Sequence, residues 1–296
     1  MSELRGKNVL VTGANGRLGS ALAAALRARG AVVKGVGRAD FDLGGRDGVL
    51  DAVKEHGPTV IFHAAALTSV EDCEEDPDLA YRINALGTRN VCEAAERASS
   101  RVIYLSTDHV FPGTKSGPYD EFDDPDPKNV YGRSKLWGER YVQRLGPRHA
   151  IVRSSRLFGG ATRNYVIATL EKVRSLPPGE PFLAVSDQLA VPTFAPDLAE
   201  SVVDIAERGA GGVYHLTSSG PACSWTELAE RSIALAGLAT RVKAIKGAER
   251  PRKAERPANG VLLNRVPALE GLEPLPPWPQ RLESYVKSLA APSAKP

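Results

Sequence analysis

The sequence predicts an α/β protein, a doubly wound parallel sheet followed by a smaller C-terminal lobe. Three observations carry that expectation. Short apolar runs alternate with helical patterns through the first half of the 296 residues, the order that right-handed βαβ crossovers produce. A glycine-rich stretch follows the first apolar run directly, where such a fold turns backbone amides toward an anion. From about residue 156 the alternation gives way to irregular, proline-punctuated sequence.

Taken in order, Asn8-Val9-Leu10-Val11 forms the first strand, and an Ala- and Leu-rich helix runs from about Leu18 to Arg29. Ala31–Val36 is the second strand, Val49–Val53 belongs to a short helix, and Val60–Ala66 is the third strand. Asp76-Pro77 reads as an N-cap with proline at the first helical position, opening a long helix to about Ala98. Val102–Leu105, a helix over Tyr131–Arg144 and the strand Ala150–Arg153 complete a core expected to span residues 1–155. Residues 156–296 are expected to be mainly a substrate-binding lobe, with strands from about 181–216 rejoining the sheet. That part holds proline turns at Pro177-Pro178 and Pro276-Pro277. It also holds a capping box, Ser224-Trp225-Thr226-Glu227, heading a helix to about Ala236. The tail from Ala290 is expected to fray.

Composition narrows the class of function. Lys+Arg 38 against Asp+Glu 35 leaves a formal charge of only +3, without the basic excess of a nucleic-acid binder. Cys73, Cys92 and Cys223 are far apart and form no C-x-x-C pair, so neither a disulfide framework nor a cysteine metal site is expected. There is no signal-peptide pattern and no apolar run near the ~18–20 residues of a membrane span. A soluble cytoplasmic protein that contacts neither nucleic acid nor membrane is the expectation. A homodimer is compatible with the sequence.

The first motif is Val11-Thr12-Gly13-Ala14-Asn15-Gly16-Arg17-Leu18-Gly19. Gly13 permits a tight turn, Gly16 lets backbone approach a pyrophosphate, and Gly19 allows close helix–strand packing, with the anion on unpaired amides at the helix start. A dinucleotide cofactor is therefore expected. The second strand ends Val36-Gly37-Arg38, where an acid would bind a ribose 2′-hydroxyl. Arg38 instead suits a 2′-phosphate, so NADPH is favoured. Asp40 and Asp42 lie close enough for NADH to remain possible. Asp42 and Leu43 are expected beside the adenine, and Ala64, Ala65 and Ala66 under the cofactor.

The second motif is Tyr131-Gly132-Arg133-Ser134-Lys135. On a helix, positions i and i+4 share a face. A phenol titrates near ~10, and a nearby ammonium lowers that value. The phenol can then protonate a carbonyl oxygen as hydride reaches its carbon. Thr107 stands at the carboxyl end of the fourth strand, the edge where parallel sheets bind ligands, and completes a candidate catalytic set.

These motifs resemble the extended short-chain dehydrogenase/reductase superfamily and, within it, the dTDP-4-dehydrorhamnose reductase family. The likeness also rests on His63 to Glu71, on Ser106-Thr107-Asp108-His109-Val110-Phe111, on Leu136-Trp137-Gly138-Glu139, on Asp187-Gln188, Pro192-Thr193, and on Arg256-Pro257-Ala258-Asn259. The resemblance implies a Rossmann-type fold and NAD(P)H-dependent reduction of a nucleotide-linked 4-keto-6-deoxy sugar, dTDP-4-dehydro-L-rhamnose to dTDP-L-rhamnose. It implies Tyr131 as proton donor, Lys135 lowering the tyrosine's pKa and holding the ribose, and Thr107 tuning the tyrosine. Gly16, Arg17 and Leu18 would line the pyrophosphate; Thr68, Thr107, Asp108 and Arg156 would face the sugar nucleotide. Two positions depart from the family pattern: His109 replaces a usual Tyr, and Arg156 a usual Trp. A non-catalytic NADP-binding scaffold, like the regulatory subunit of methionine adenosyltransferase, and a nucleotide-sugar epimerase or dehydratase are the alternatives.

Other features carry less. The acidic run Glu71–Asp78 reads as a solvated helix entrance and not a metal site. His63 reads as a hydrogen-bonded strand-end residue and Trp225 as core; Arg163-Asn164-Tyr165 resembles a family segment that would contact substrate, and a helix start at Asn164 is an equal reading. Arg156 is weighed between an anion contact and a solvated loop, and Arg256 as an arginine able to reach a phosphate.

Overall fold

The central apolar runs become strands because helices cover both faces of the sheet they form. In the computed structural model, which describes residues 2–40 and 42–290, the strands are β1 (Asn8–Thr12), β2 (Val32–Val36), β3 (Val60–His63), β4 (Arg101–Thr107), β5 (Ala150–Ser154), β6 (Leu157–Phe158), β7 (Phe182–Val185), β8 (Leu189–Ala190), β9 (Thr193–Phe194), β10 (Gly212–His215), β11 (Cys223–Ser224) and β12 (Val242–Ile245). The helices are α1 (Arg17–Ala28), α2 (Arg46–His56), α3 (Val70–Glu75), α4 (Pro77–Ala80), α5 (Gly87–Arg97), α6 (Val130–Arg144), α7 (Tyr165–Arg174), α8 (Ala195–Glu207), α9 (Trp225–Leu235), α10 (Arg265–Leu269) and α11 (Trp278–Ala290). The tail expected to fray, residues 291–296, lies outside the described residues.

The main sheet runs β2-β1-β3-β4-β5-β10, and every neighbouring pair is parallel. Alternate residues of the central strands divide between its faces. Val9, Val11, Phe62, Ile103 and Val152 pack against α1 and α8. Leu10, Ile61, Val102, Tyr104 and Ile151 pack against α2, α5 and α6. The chain leaves β1 in one direction toward β2 and returns on the other side at β3. That reversal opens a crevice at the carboxyl ends of β1 and β3.

Three expectations change. The third strand stops at His63, not Ala66, because Ala64 to Ala66 turn away over the crevice. Asp76 does cap with Pro77 next, its carboxylate accepting the Leu79 amide. The helix it opens is broken, however, by a widened π-type segment over Tyr81–Leu86. Of residues 181–216, only β10 joins the main sheet; β7 pairs instead with β12 in a separate two-stranded sheet. The second core, around Phe158, Val166, Leu170, Leu228, Trp278 and Leu282, belongs to this C-terminal lobe. Ser224 and Glu227 form the capping box of α9, and Asn164 caps α7. No described helix is long and apolar enough to cross a membrane.

Candidate active site

A cleft of about 2170 Å3 lies between the carboxyl edge of the sheet and the lobe, and every residue expected in the site lines it. At its floor is the β1–α1 turn. Gly13 has φ +69°, and a Cβ there would stand 2.8 Å from the backbone of Ala65. A Cβ on Gly19 would stand 2.1 Å from the Gly13 carbonyl oxygen. No side chain caps α1, so its first amides are free to meet an anion. Four buried polar atoms have no hydrogen-bond partner among the described residues: Arg17 Nε, Ser154 Oγ, Thr162 Oγ1 and Thr169 Oγ1. All four residues line this cleft. Buried orphans cost about 1–3 kcal/mol each, so their convergence fits a large polar ligand such as a dinucleotide.

At the far end, the two acids near Arg38 are already engaged. Asp40 accepts the Gly37 amide at 2.6 Å, and Asp42 accepts the Gly44 amide at 3.0 Å and pairs with Arg82 at 3.4 Å. Arg38 is exposed at the cleft rim beside Leu43. Ala64 to Ala66 are held against β1: the Thr12 hydroxyl accepts the Ala65 amide at 3.2 Å and lies 2.7 Å from His63 Nδ1. His63 Nε2 meets Thr88, whose hydroxyl donates to Asn84 O. Burial pushes His63 down to about 3, so it serves as a neutral strand-end link.

Tyr131 and Lys135 lie on α6 and Thr107 ends β4. All three are buried. Lys135 Nζ donates to the Leu105 carbonyl at 2.7 Å and sits 4.0 Å from the Tyr104 ring centroid. Burial pushes its ammonium down to about 7, opposed by the charge of Glu139. Burial also drives the Tyr131 phenol upward, and the Thr107 hydroxyl is the group that pulls it back.

The lobe wall corrects several readings. Arg156 is no solvated loop cation: half-buried at the cleft, its guanidinium donates at 2.6 Å to the carbonyls of both Cys223 and Gln188 and stacks 4.1 Å from the Trp225 ring centroid. Trp225 is half-buried, packed against the lobe's core on one side and lining the cleft on the other. Arg256 is held by Glu71 at 2.8 Å, so its charge is answered from within. The acidic run is more than solvated surface, because Glu71 also accepts the Lys253 amide at 3.0 Å and Glu74 accepts the Val130 amide at 3.0 Å. These carboxylates tie residues 253–256 and the start of α6 to α3. Asp108, buried, accepts from the Thr107 hydroxyl at 3.0 Å, and burial raises its carboxyl. Thr68 is exposed on the cleft wall.

Sequence reasoning missed the residues that hold this set in place. Asn84, on the π-type segment, accepts the Leu67 amide at 2.8 Å and donates to Ser134 Oγ at 2.9 Å. Nothing local marks it. Asn129 caps α6 through the Gly132 amide at 2.8 Å; an Asn just before the Tyr–Lys motif was a readable cap signal. Glu139 and Arg153 form a buried pair at 2.6 Å. Gly132 lets α6 approach β4's end, since a Cβ there would stand 2.0 Å from the His109 carbonyl oxygen. Among the described residues, no group of three or more His, Cys, Asp or Glu is arranged to hold a metal ion.

A parallel sheet with a glycine turn at its switch point, and a buried Tyr–Lys pair beside a strand-end threonine, define a Rossmann-type protein of the short-chain dehydrogenase/reductase class. More narrowly, residues 7–291 match the model of the RmlD substrate binding domain, and the chain belongs to that family. It is 35% identical over 294 residues to a dTDP-4-dehydrorhamnose reductase of Streptomyces griseus, covering 97% of this chain and 95% of that one. It is 37% identical over 279 residues to a dTDP-4-keto-6-deoxy-D-glucose reductase of Streptomyces niveus, covering 91% and 93%. Its fold superimposes with a TM-score of 0.91 on a dTDP-4-dehydrorhamnose reductase of Bacillus anthracis solved in complex with NADP, at 33% identity, covering 96% of this chain and 99% of that one.

Proposed function

We propose that this protein uses NADPH to reduce the C4 ketone of a dTDP-linked 4-keto-6-deoxy sugar, converting dTDP-4-dehydro-L-rhamnose to dTDP-L-rhamnose. Residues 1–155 bind the cofactor and the lobe receives the sugar nucleotide. The observation that carries the reading is the burial of Thr107, Tyr131 and Lys135 in one cleft with the glycine turn. Arg38, exposed at the cleft rim, holds the 2′-phosphate. The relatives' names and the NADP of the Bacillus anthracis structure support the same assignment.

When bound, NADPH supplies a hydride to the ketone carbon. Tyr131, kept protonated by burial, donates its phenolic proton to the ketone oxygen. Thr107 orients that phenol. Lys135, whose ammonium burial pushes down to about 7, holds a proton one helical turn along from that phenol. Tyr131→Phe is expected to abolish turnover of dTDP-4-dehydro-L-rhamnose, followed by NADPH absorbance, while NADPH binding survives. Turnover retained by that variant refutes the acid assignment. The Streptomyces niveus relative supports a second reading, reduction of a D-gluco-configured ketone, and comparing kcat/KM for the two configurations decides between them. Oxidation of NADPH by neither substrate would move the assignment to a scaffold.

A further inference from the structure

His109 stands at the cleft wall just after the catalytic strand end, and its ring meets that of Tyr131 edge-on at 5.5 Å between centroids. Its protonation can be deduced from its neighbours. Asn129 accepts the Gly132 amide through Oδ1 at 2.8 Å, and its Nδ2 donates to the Glu255 carbonyl at 2.8 Å. Those two backbone groups allow only one orientation of the amide. The same Nδ2 lies 3.1 Å from His109 Nδ1. An amide nitrogen only donates, so Nδ1 must accept and the ring proton belongs to Nε2. Nε2 has no protein partner among the described residues and is not one of the buried orphans. Burial and the nearby Arg256 and Arg156 guanidiniums keep the ring neutral, against Asp108.

We propose that His109 is a specificity residue whose Nε2–H, fixed by Asn129, donates a hydrogen bond to the sugar hydroxyl on the carbon next to the reacting ketone. A tautomer-locked donor stands beside the phenol that must touch the ketone oxygen. A donor one ring away from that oxygen reaches the adjacent substituent. A neutral N–H selects an oxygen acceptor there, and a sugar lacking it leaves the donor unpaired in the cleft. This inference rests on the reductase reading above and names a subsite within it.

The test compares the 3-hydroxy substrate with its 3-deoxy analogue. The wild type is expected to favour the hydroxylated sugar in kcat/KM by at least about ten-fold. His109→Phe should bring that ratio close to one, acting mainly through KM, while NADPH affinity is unchanged. His109→Gln, which keeps an N–H donor, should restore part of the preference. A preference undiminished in His109→Phe overturns the proposal. So does an Nδ1–H pattern for His109 in long-range 1H–15N spectra of the labelled wild type, assigned by loss of the signal in His109→Gln; that readout needs no turnover. Wild type that reduces neither sugar overturns the reductase reading, and this subsite with it.

Discussion

Replacing Gly132 with alanine tests whether the placement of Tyr131 relative to β4 limits the chemistry. The new methyl would stand 2.0 Å from the His109 carbonyl oxygen and 2.9 Å from the Pro127 side chain. Ordinary contact begins near 3.4 Å, so α6 and the 108–110 turn must separate by about 1.4 Å, the difference of those two distances. The close atom is backbone and cannot rotate aside. Overpacking of this kind costs about 1–3 kcal/mol, offset by the ~1 kcal/mol that alanine gains over glycine in a helix. Net stability should therefore fall by no more than about 2 kcal/mol. The phenol, one residue away, is carried off by about an ångström, a misplacement that costs on the order of 10²-fold in rate. The measurements are kcat on the 4-keto sugar, NADPH affinity and thermal stability. The expected pattern is a large loss of kcat with cofactor affinity and fold nearly intact. A Gly132→Ala enzyme with near-normal kcat would refute the reasoning, as would one whose activity falls only in step with unfolding.

Arg38→Ala should weaken NADPH by the worth of a charge-assisted contact, roughly 1.5–3 kcal/mol, leaving NADH affinity unchanged; titration of both cofactors checks this, and equal losses count against the 2′-phosphate assignment. Glu71→Gln removes the charge that holds Arg256 at 2.8 Å and weakens the grip on the Lys253 amide. The KM for the nucleotide sugar should rise with NADPH affinity unchanged, and protease cleavage near residues 250–253 should quicken. The pH dependence of stability follows from three buried histidines: His63 and His215 are pushed down to about 3 and His149 to about 4, chiefly by burial. Each is depressed below the ordinary 6.5, so the unfolded chain binds more protons across that window. Stability should fall as pH drops from about 6.5 toward 3, by up to about 1.4 kcal/mol per pH unit for each ring. Urea unfolding at pH 7, 6 and 5 measures it, and a midpoint that does not move over that range contradicts the buried neutral state.

What could be read from the chain was whatever local chemistry demands. The glycine turn, the Pro77 helix start and the Ser224 capping box depend on neighbours within a few residues, and each appears where the sequence places it. Lining of a single cleft by Thr107, Tyr131, Lys135 and the loop residues was legible because parallel sheets gather strand ends on one edge. Long-range partners were not legible. Arg156 looks identical in sequence whether it meets phosphate, water or the carbonyls of Cys223 and Gln188. Asn84 gives no signal because its partners, Leu67 and Ser134, lie 17 and 50 residues away. The pairing of β7 with β12 likewise depends on segments about 60 residues apart, and a four-residue apolar run does not state which sheet will take it.

The buried ion pair behind the Tyr–Lys face shows why those unreadable contacts matter. Arg153 donates to Glu139 through Nε at 2.9 Å and through Nη2 at 2.6 Å, and Ser106 Oγ donates to the same carboxylate at 2.6 Å. Burying such a pair contributes little net stability, because desolvation consumes most of the attraction. Its effect on Lys135 is different. Glu139 lies one helical turn along α6 and is the charge that opposes the fall of the lysine's pKa. Without it, burial alone would carry the ammonium further down, and Lys135 would be neutral at pH 7. Arg153 and Ser106 hold that carboxylate in place, so a residue on β5 fixes the group whose charge opposes the desolvation of a lysine on α6.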